Sequence, residues 1–405
     1  MKISLIIFVS FSLFSASSYP NEICNNGKAG DYPCKQINLE AELDLGKLGI
    51  HSNQGNDIWG WTDPLTLKEY AIMGLGNKTS FVDITHPKDP IYLGDLPSQT
   101  EASIWRDIKV YQNYAFIVSE ASQHGMQIFD LTLLREVRSS PIQFENSAFY
   151  NRFGSAHNIV INEDTGFAYA VGTDTCDRGM HVVDIKNPLY PQFSTCIDRD
   201  IFEDTSSYQA LHGEDYTHDA QCVLYHGPDT RYQGHEICMC ANADTVNIVD
   251  VTDKSQPIQI SVKKYSGIGY THQGWLTEDH RFFILGDELD EKKFKHPTKT
   301  LLWNVEDLKN PIHHGTYVHS TKAIDHNLYI KGNLVFEANY DAGLRILDAS
   351  DIENGQLKEL GYFDTLPRRN RPTFDGAWSV YPYFKSGSII VSNTDGRLFI
   401  LRYEQ

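Results

Sequence analysis

One stretch of the sequence brings together residue types that bind metals. In YTHQGWLTEDHRFFILGDELDE, residues 270–291, His272 begins an apolar segment, and Asp287 and Glu288 follow the next one. Neutral imidazole nitrogens suit transition metals, and carboxylates beside them orient the rings through hydrogen bonds. Whether these side chains form a site depends on the elements that position them and on equivalent residues elsewhere in the chain.

Equivalent positions recur in seven units of the sequence. When the first strands of the units are aligned, four successive units carry a histidine in a column that reads Trp59, Arg106, His157, His218, His272, His326 and Trp378. The next column reads Gly60, Asp107, Asn158, Asp219, Gln273, Asn327 and Ser379. The first of the second strands ends in Asn77, and the other six end in acids: Glu120, Asp174, Asp244, Asp287 with Glu288, Asp341 and Asp395. We therefore predict one face with four histidines inside a collar of carboxylates.

This constellation supports three hypotheses. In the first, a divalent metal is the cofactor, its ligands are His157, His218, His272 and His326, and the outer hydrogen-bonding groups are Asp219, Asp287 and Glu288. In the second, the histidines bond the backbone of the neighbouring unit. In the third, they contact a ligand without a metal. A hard cation such as Ca²⁺ would instead take the acids and the amide column as ligands.

A recurring phrase defines the seven units: an apolar strand that ends in Asp, followed by a turn. Its acids are Asp83, Asp130, Asp184, Asp250 and Asp348, with Asn304 as one substitute. An Asp in this place bonds the backbone of its own turn, so we expect these residues to be structural. Two strands precede each phrase and one follows it, which gives four-stranded units at a spacing of roughly 50 residues.

Four-stranded units at this spacing predict an all-β fold, a seven-bladed β-propeller. The last unit has only three strands before the chain ends, whereas the strand-like INLEAELDL, residues 37–45, precedes the first unit. We predict that this N-terminal strand completes the last blade and leaves no open edge. The expected division is a signal peptide at 1–18, a disulfide-bracketed loop at 19–36 and the propeller at 37–405.

The N-terminus is typical of a secretory signal peptide. One Lys, an apolar run and the small residues Ala16 to Ser18 predict cleavage before Tyr19. The run is shorter than the roughly 20 residues of a membrane-spanning helix, and no Cys follows it for lipidation. We expect a secreted or extracellular protein, or a periplasmic one in a Gram-negative host, without a membrane span or lipid anchor.

Secretion permits disulfides, and the seven cysteines leave an odd thiol. The repeat places Cys222 opposite Cys238 on one hairpin and gives a second cross-strand match in blade three, whereas the first two cysteines bracket a short loop. The expected pairs are Cys24–Cys34, Cys176–Cys196 and Cys222–Cys238, with Cys240 free. Cys240 lies two residues beyond Cys238 on the same face, so it competes for Cys222.

The net charge and the absence of common catalytic and nucleotide-binding motifs limit the possible functions. The formal net charge of −18 and the lack of a basic cluster disfavour nucleic acid and anionic membranes as partners, and favour a cationic ligand or a divalent metal. The sequence has no Gly-x-Ser-x-Gly elbow, P-loop or dinucleotide motif. Asn77 begins an Asn-Lys-Thr site for N-glycosylation in a eukaryotic host. We expect a monomer.

Several phrases carry a family resemblance. FVDIT, HVVDIK and NIVDVT resemble LVIVD repeats, and DAQCVLYHGPDT, AIDHNLYIKGNLVFEANYDAGLRILD and GAWSVYPYF resemble the choice-of-anchor B family. That resemblance implies a secreted or surface β-propeller-like protein and no established activity. The chain ends directly after its last predicted strand, which favours a freely secreted or periplasmic product.

Three functions remain open at this point. The first is a binding or interaction scaffold for an extracellular ligand or protein. The second is a metal-dependent enzyme with a four-histidine site at the channel mouth. The third is a surface protein stabilised by calcium.

Overall fold

The structure, a computed structural model, describes residues 21–198 and 216–404. These residues form seven antiparallel sheets around a ring, which confirms the predicted seven-bladed β-propeller. The expected signal peptide, residues 1–18, lies outside the described residues. Within them, no helix is long and apolar enough to cross a membrane.

The strands are numbered in chain order. The N-terminal segment contributes β1 (Lys28–Ala29), β2 (Tyr32–Lys35) and β3 (Ile37–Asp44). Blade one contains β4 (Gly55–Thr62), β5 (Glu69–Leu75), β6 (Lys78–Asp83) and β7 (Ile91–Pro97), and it gains the short β11 (Ile142–Gln143). Blade two contains β8 (Arg106–Tyr111), β9 (Tyr114–Ser119), β10 (Met126–Asp130) and β12 (Ala148–Tyr150). Blade three contains β13 (Asn158–Asn162), β14 (Phe167–Val171), β15 (Met180–Asp184) and β16 (Gln192–Ile197).

The remaining blades follow the same pattern. Blade four contains β17 (Asp219–Leu224), β18 (Glu236–Ala241), β19 (Val246–Asp250) and β20 (Ile258–Lys263). Blade five contains β21 (Thr271–Leu276), β22 (Phe282–Asp287), β23 (Lys299–Asn304) and β24 (Ile312–Val318). Blade six contains β25 (Asn327–Lys331), β26 (Leu334–Ala338), β27 (Leu344–Asp348) and β28 (Lys358–Phe363). Blade seven contains β29 (Ala377–Tyr381), β30 (Ser388–Asn393) and β31 (Arg397–Tyr403).

Within residues 21–198 and 216–404, the helical segments are short. The α-helix α1 (Asp290–Phe294) lies between β22 and β23. Three 3₁₀ segments span Leu131–Glu136, Cys176–Arg178 and Ile352–Asn354.

The recurring Asp has the turn-forming role that the sequence predicts. Asp83 accepts a hydrogen bond from the backbone N–H of Thr85 at 3.0 Å, and Asp250 accepts one from Thr252 at 3.0 Å. The same bond to the residue two positions on is made by Asp130, Asp184, Asn304 and Asp348. These side chains satisfy the backbone where the third strand of blades one to six ends, so the prediction of a structural role is confirmed.

The N-terminal strand closes the ring as predicted. β3 pairs antiparallel with β31, from Ile37 opposite Tyr403 to Asp44 opposite Arg397, and it forms the fourth strand of blade seven. The preceding β2 instead pairs with β28 of blade six, where Cys34 lies opposite Phe363. One N-terminal segment therefore joins blades six and seven.

The hydrophobic core lies between the blades. Seven clusters of buried side chains each contain residues from two adjacent blades, including the pair of blades seven and one. Phe81 of blade one and Phe129 of blade two, for example, have ring centroids 4.6 Å apart. Since the blade faces are used for packing, the ends of the innermost strands are left to carry polar side chains into the central channel.

The structure contains three disulfides, Cys24–Cys34, Cys176–Cys196 and Cys222–Cys238. Cys222 lies directly opposite Cys238, whereas Cys240 lies opposite Ala220 and is a buried free thiol. Because the register places Ala220 and not Cys222 opposite Cys240, the competing pair is not formed.

Candidate functional site

A cavity of about 830 Å³ opens at one end of the central channel. First strands begin and second strands end at this mouth, as the sequence predicts. Its lining includes all four histidines of the predicted column, His157, His218, His272 and His326. The structure thus brings together side chains that are spread over nearly 170 residues of the chain (326 − 157 = 169).

The four rings form a continuous arc across blades three to six, which we call the imidazole arc. Ring centroids are 4.4 Å apart for His157 and His218, 4.2 Å for His218 and His272, and 4.4 Å for His272 and His326. Beyond His326, the arc meets the indole of Trp378 at 4.9 Å. Neighbouring rings hold one another in place, so each imidazole has a defined orientation.

Backbone hydrogen bonds fix which ring nitrogen is protonated. His218 Nδ1 lies 2.9 Å from the carbonyl oxygen of His272, and His326 Nδ1 lies 2.5 Å from that of Trp378. A carbonyl oxygen can only accept a hydrogen bond, so Nδ1 of each ring carries the proton and donates it. In the neutral ring, Nε2 then carries the free lone pair. These bonds to the next blade match the structural hypothesis, and they are also the bonds that orient metal-binding histidines.

Glu288 lies between two of these rings. Its carboxylate oxygens are each 3.8 Å from an imidazole nitrogen, Oε2 from Nε2 of His272 and Oε1 from Nε2 of His326. The hydroxyl of Tyr340 donates to Oε1 at 3.0 Å and orients the carboxylate. One ligand atom from each of His272, Glu288 and His326 lies within 4.8 Å of the other two.

These distances suit a metal ion. Tetrahedral zinc bonds of about 2.0–2.1 Å place ligand atoms about 3.4 Å apart, so a small contraction would complete the coordination. Two imidazoles and one carboxylate are a common donor set for zinc or for non-haem iron. We name His272, Glu288 and His326 the mouth triad. His157 and His218 continue the arc beside it, and Glu288 lies where a direct ligand would be, although we expected it to be an outer group.

Burial keeps most of the arc neutral. Burial lowers the pKa of His218 and His272 well below the ordinary histidine value, and neighbouring imidazoles lower it further. Burial also lowers the pKa of His326 to about 3. A neutral imidazole is the form that binds a metal, so no proton has to be displaced from these rings near pH 7.

His157 has the opposite electrostatic balance. Burial alone would lower its pKa, but the hydrogen bond to Glu120 at 2.5 Å and the charge of that carboxylate raise it above the ordinary value. Burial raises the pKa of Glu288 to about 7. One end of the arc therefore holds a proton more readily than the two imidazoles of the mouth triad do.

The other two predicted outer groups have different surroundings. Asp287 accepts hydrogen bonds from the backbone N–H of Gly269 at 2.9 Å and of Tyr270 at 2.6 Å, and from the hydroxyl of Tyr265 at 2.8 Å. Through these hydrogen bonds, Asp287 holds the segment before β21 in place. Asp219 lies deeper, in the lining of a second cavity of about 490 Å³ towards the other end of the channel.

The predicted column contains one misplaced residue. Asp57 and Asp107 are equivalent, because each accepts from the backbone of the next blade, at Ile108 N and Ile159 N respectively. Asn56, and not Trp59, is therefore the blade-one residue of the column. The register between β4 and β5 shifts between Gly55 and Ile58, and this irregularity moves Trp59 to the second cavity.

Arg106 also belongs to the column but leaves the channel. Its guanidinium is buried between blades one and two, where it donates to the carbonyl of Leu75 and to Ser98 of blade one and contacts His124 of blade two. The acids that follow Glu288 were not predicted as a separate group. Asp290 and Glu291 of α1 meet Asp325, which precedes β25. The acidic run DELDE could have indicated Asp290 and Glu291, but no sequence pattern marks Asp325.

The glycosylation site stays a prediction. Asn77 lies in the turn between β5 and β6 and donates through its side-chain amide to the carbonyl of His51 at 2.8 Å. Thr79 of the same site is fully buried in β6.

Comparison with known families identifies one repeat. Residues 104–130, which include β8 to β10 of blade two, match the family model of the LVIVD repeat. A search of curated proteins finds no match. Blade two is thus similar to an LVIVD repeat, and the residues that the structure describes have the architecture of a seven-bladed propeller.

Proposed function

We propose that this protein is a secreted LVIVD-type propeller of the choice-of-anchor B kind that binds a small extracellular ligand at its channel mouth through a transition metal ion. The observation that carries the proposal is the mouth triad. Two neutral imidazoles and a carboxylate converge beside a cavity large enough for a small molecule.

Secretion is supported from two directions. The first 18 residues have the layout of a signal peptide. Three disulfides in the described residues are typical of oxidising compartments and rare in the cytosol.

The ligand class follows from the groups around the triad. Three protein ligands leave at least one coordination position for an exogenous donor atom. His157 lines the same cavity, and its raised pKa supplies an N–H that carries positive charge more readily than the other rings. A small molecule with an anionic oxygen would meet both the metal and this imidazole.

Metal analysis of the untagged, secreted protein tests the proposal. After equilibration with zinc and dialysis, we expect about one equivalent of zinc per chain, as for a single site with three protein ligands. The variants His272→Ala and His326→Ala each remove a ligand and should lose the bound metal. Cobalt substitution should give visible absorption bands that both variants lack.

His280→Gln is the matched control, since His280 is also buried and neutral but lies at the second cavity. It should retain the full equivalent. No bound zinc in the parent protein, or equal binding by all variants, would remove the metal from the proposal. If the zinc-loaded protein also hydrolyses p-nitrophenyl acetate, and His157→Gln abolishes turnover but keeps zinc, the mouth is the site of a metal-dependent enzyme.

A further inference from the structure

A second group of side chains lies behind the channel mouth, between blades five and six. Asp290 and Glu291 come from α1, and Asp325 comes from the segment before β25. One carboxylate oxygen from each lies within 4.8 Å of the other two. We call these three residues the interblade acids. Their exposed fractions are 3% for Asp290, 1% for Glu291 and 4% for Asp325, so all three are excluded from bulk water.

Most oxygens of the interblade acids lack hydrogen-bond partners in the described part of the chain. Five buried atoms accept no hydrogen bond: Oδ1 of Asp290, both carboxylate oxygens of Glu291 and both of Asp325. Buried polar atoms are nearly always hydrogen-bonded, and a buried carboxylate without a partner is costly. Five such atoms in one place indicate that a ligand is missing from the group.

Nearby positive charge does not supply that ligand. His296 Nε2 lies 3.4 Å from Asp290 and makes no hydrogen bond. Lys299 acts on Asp290 only through its charge.

The backbone is shaped around these oxygens. A Cβ atom at Gly286 of β22 would lie 2.3 Å from Oδ2 of Asp325, so glycine is needed for the carboxylate to reach this position. Asp325 therefore packs tightly against blade five although it belongs to blade six. A cation held here would tie the two blades together.

We propose that the interblade acids bind a calcium ion. Calcium prefers six to eight oxygen ligands, and two bidentate carboxylates with a third monodentate one provide five. A divalent ion also reduces the formal charge of the group from −3 to −1. Carboxylates without an imidazole or thiolate select a hard cation over the transition metals that suit the mouth triad.

Thermal unfolding of the full secreted chain with calcium alone is the test. From chelator to about 5 mM calcium, we expect the Tm to rise by about 5 °C, with half-saturation near 0.1–1 mM as in extracellular calcium sites. Asp325→Asn should raise the half-saturating concentration at least about tenfold or abolish the rise. Its Tm in chelator should be no lower than that of the parent, because one of three like charges is removed.

Two controls keep the outcome specific. Asp95→Asn alters a buried carboxylate that already bonds Lys78, Ser80 and the backbone of Ile50, so it should lower the Tm in chelator and keep the calcium-dependent rise. Glu288→Gln should lose zinc and keep the calcium response, which separates this inference from the mouth triad.

A Tm that does not change with calcium would overturn the inference and would mean that shared protons neutralise the acids. An equal rise in Asp325→Asn would overturn it as well. If Asp325→Asn does not fold, Glu291→Gln provides the same test with a residue from the other blade.

Discussion

Two groups of buried carboxylates in the described residues can be compared, one in the channel and one between blades five and six. The channel group consists of Asp57, Asp107 and Asp219, and it includes the amine of Lys109, 2.6 Å from Asp107 and 3.3 Å from Asp57. The charges of these acids raise the pKa of Lys109 well above its ordinary value although burial would lower it.

Hydrogen bonding differs in the same way. Asp107 accepts from the backbone N–H of Ile108 at 2.8 Å and of Ile159 at 2.7 Å. The interblade acids have five buried oxygens that accept nothing. The comparison shows that a lysine can neutralise buried carboxylates where a blade supplies one. Where no blade supplies a lysine, the carboxylates need a cation from solution.

Removing the lysine should have the largest effect. Lys109→Met leaves the channel acids without their cation, and breaking a buried ion pair in this way costs about 3–5 kcal/mol. Urea unfolding at pH 7 measures the loss in free energy of unfolding. Lys47→Met, at a side chain that is 77% exposed, is the control and should change it by less than about 0.5 kcal/mol. A loss below about 1 kcal/mol in Lys109→Met would show that the channel acids are neutralised by protons.

The same chemical change in the two groups should have opposite signs. Asp107→Asn removes the charge that bonds Lys109 and should lower the free energy of unfolding by about 2 kcal/mol. Glu291→Gln, measured in chelator, relieves repulsion among the interblade acids and should raise it by up to about 1 kcal/mol. Urea unfolding of both variants in one calcium-free buffer makes the comparison. Equal losses would mean that the two groups do not differ in compensation.

A buried imidazole illustrates a third solution, in which the group stays neutral. His181 is 2% exposed and bonds Tyr150 and Thr175, and burial lowers its pKa to about 4. Its contribution to stability is complete above the unfolded pKa of about 6.5 and is lost as the pH falls from there towards 4. We expect about 1–2 kcal/mol of this contribution to disappear between pH 7.5 and pH 5.

His181→Gln should flatten the dependence of unfolding free energy on pH by that amount, because the amide does not titrate. His313→Gln, at an exposed ring on β24, is the control and should leave the slope as it is. An unchanged slope in His181→Gln would assign the acid sensitivity to other groups.

The fold was accessible from the sequence because its signal is repeated. The strand that ends in Asp, or once in Asn, occurs six times with a turn, and each copy makes the same side-chain bond to the backbone. Ring closure by β3 was also predictable, since the last unit lacked a strand and the N-terminus supplied one. These features could be predicted from a single sequence, because they depend on local turns and on the number of strands in each unit.

The site was only partly predictable. The histidine column located the mouth, but the ligand geometry depends on side chains from three separate segments of two blades, and sequence spacing does not give their distances. Trp59 was misplaced because an irregular pairing near Gly55 breaks the two-residue period of β4. Asp325 was missed because it belongs to a connection between blades, where neighbouring units do not repeat it.

The N-terminal segment has a consequence for how the ring is assembled. β2 pairs with blade six and β3 with blade seven, so neither strand can pair until these later blades have formed. During synthesis, six blades can stack in order while both ends of the stack keep exposed edges. Since β3 completes blade seven, we expect the ring to close only after β31 has formed. This closure would set the diameter of the channel, and with it the separation of the imidazoles at the mouth.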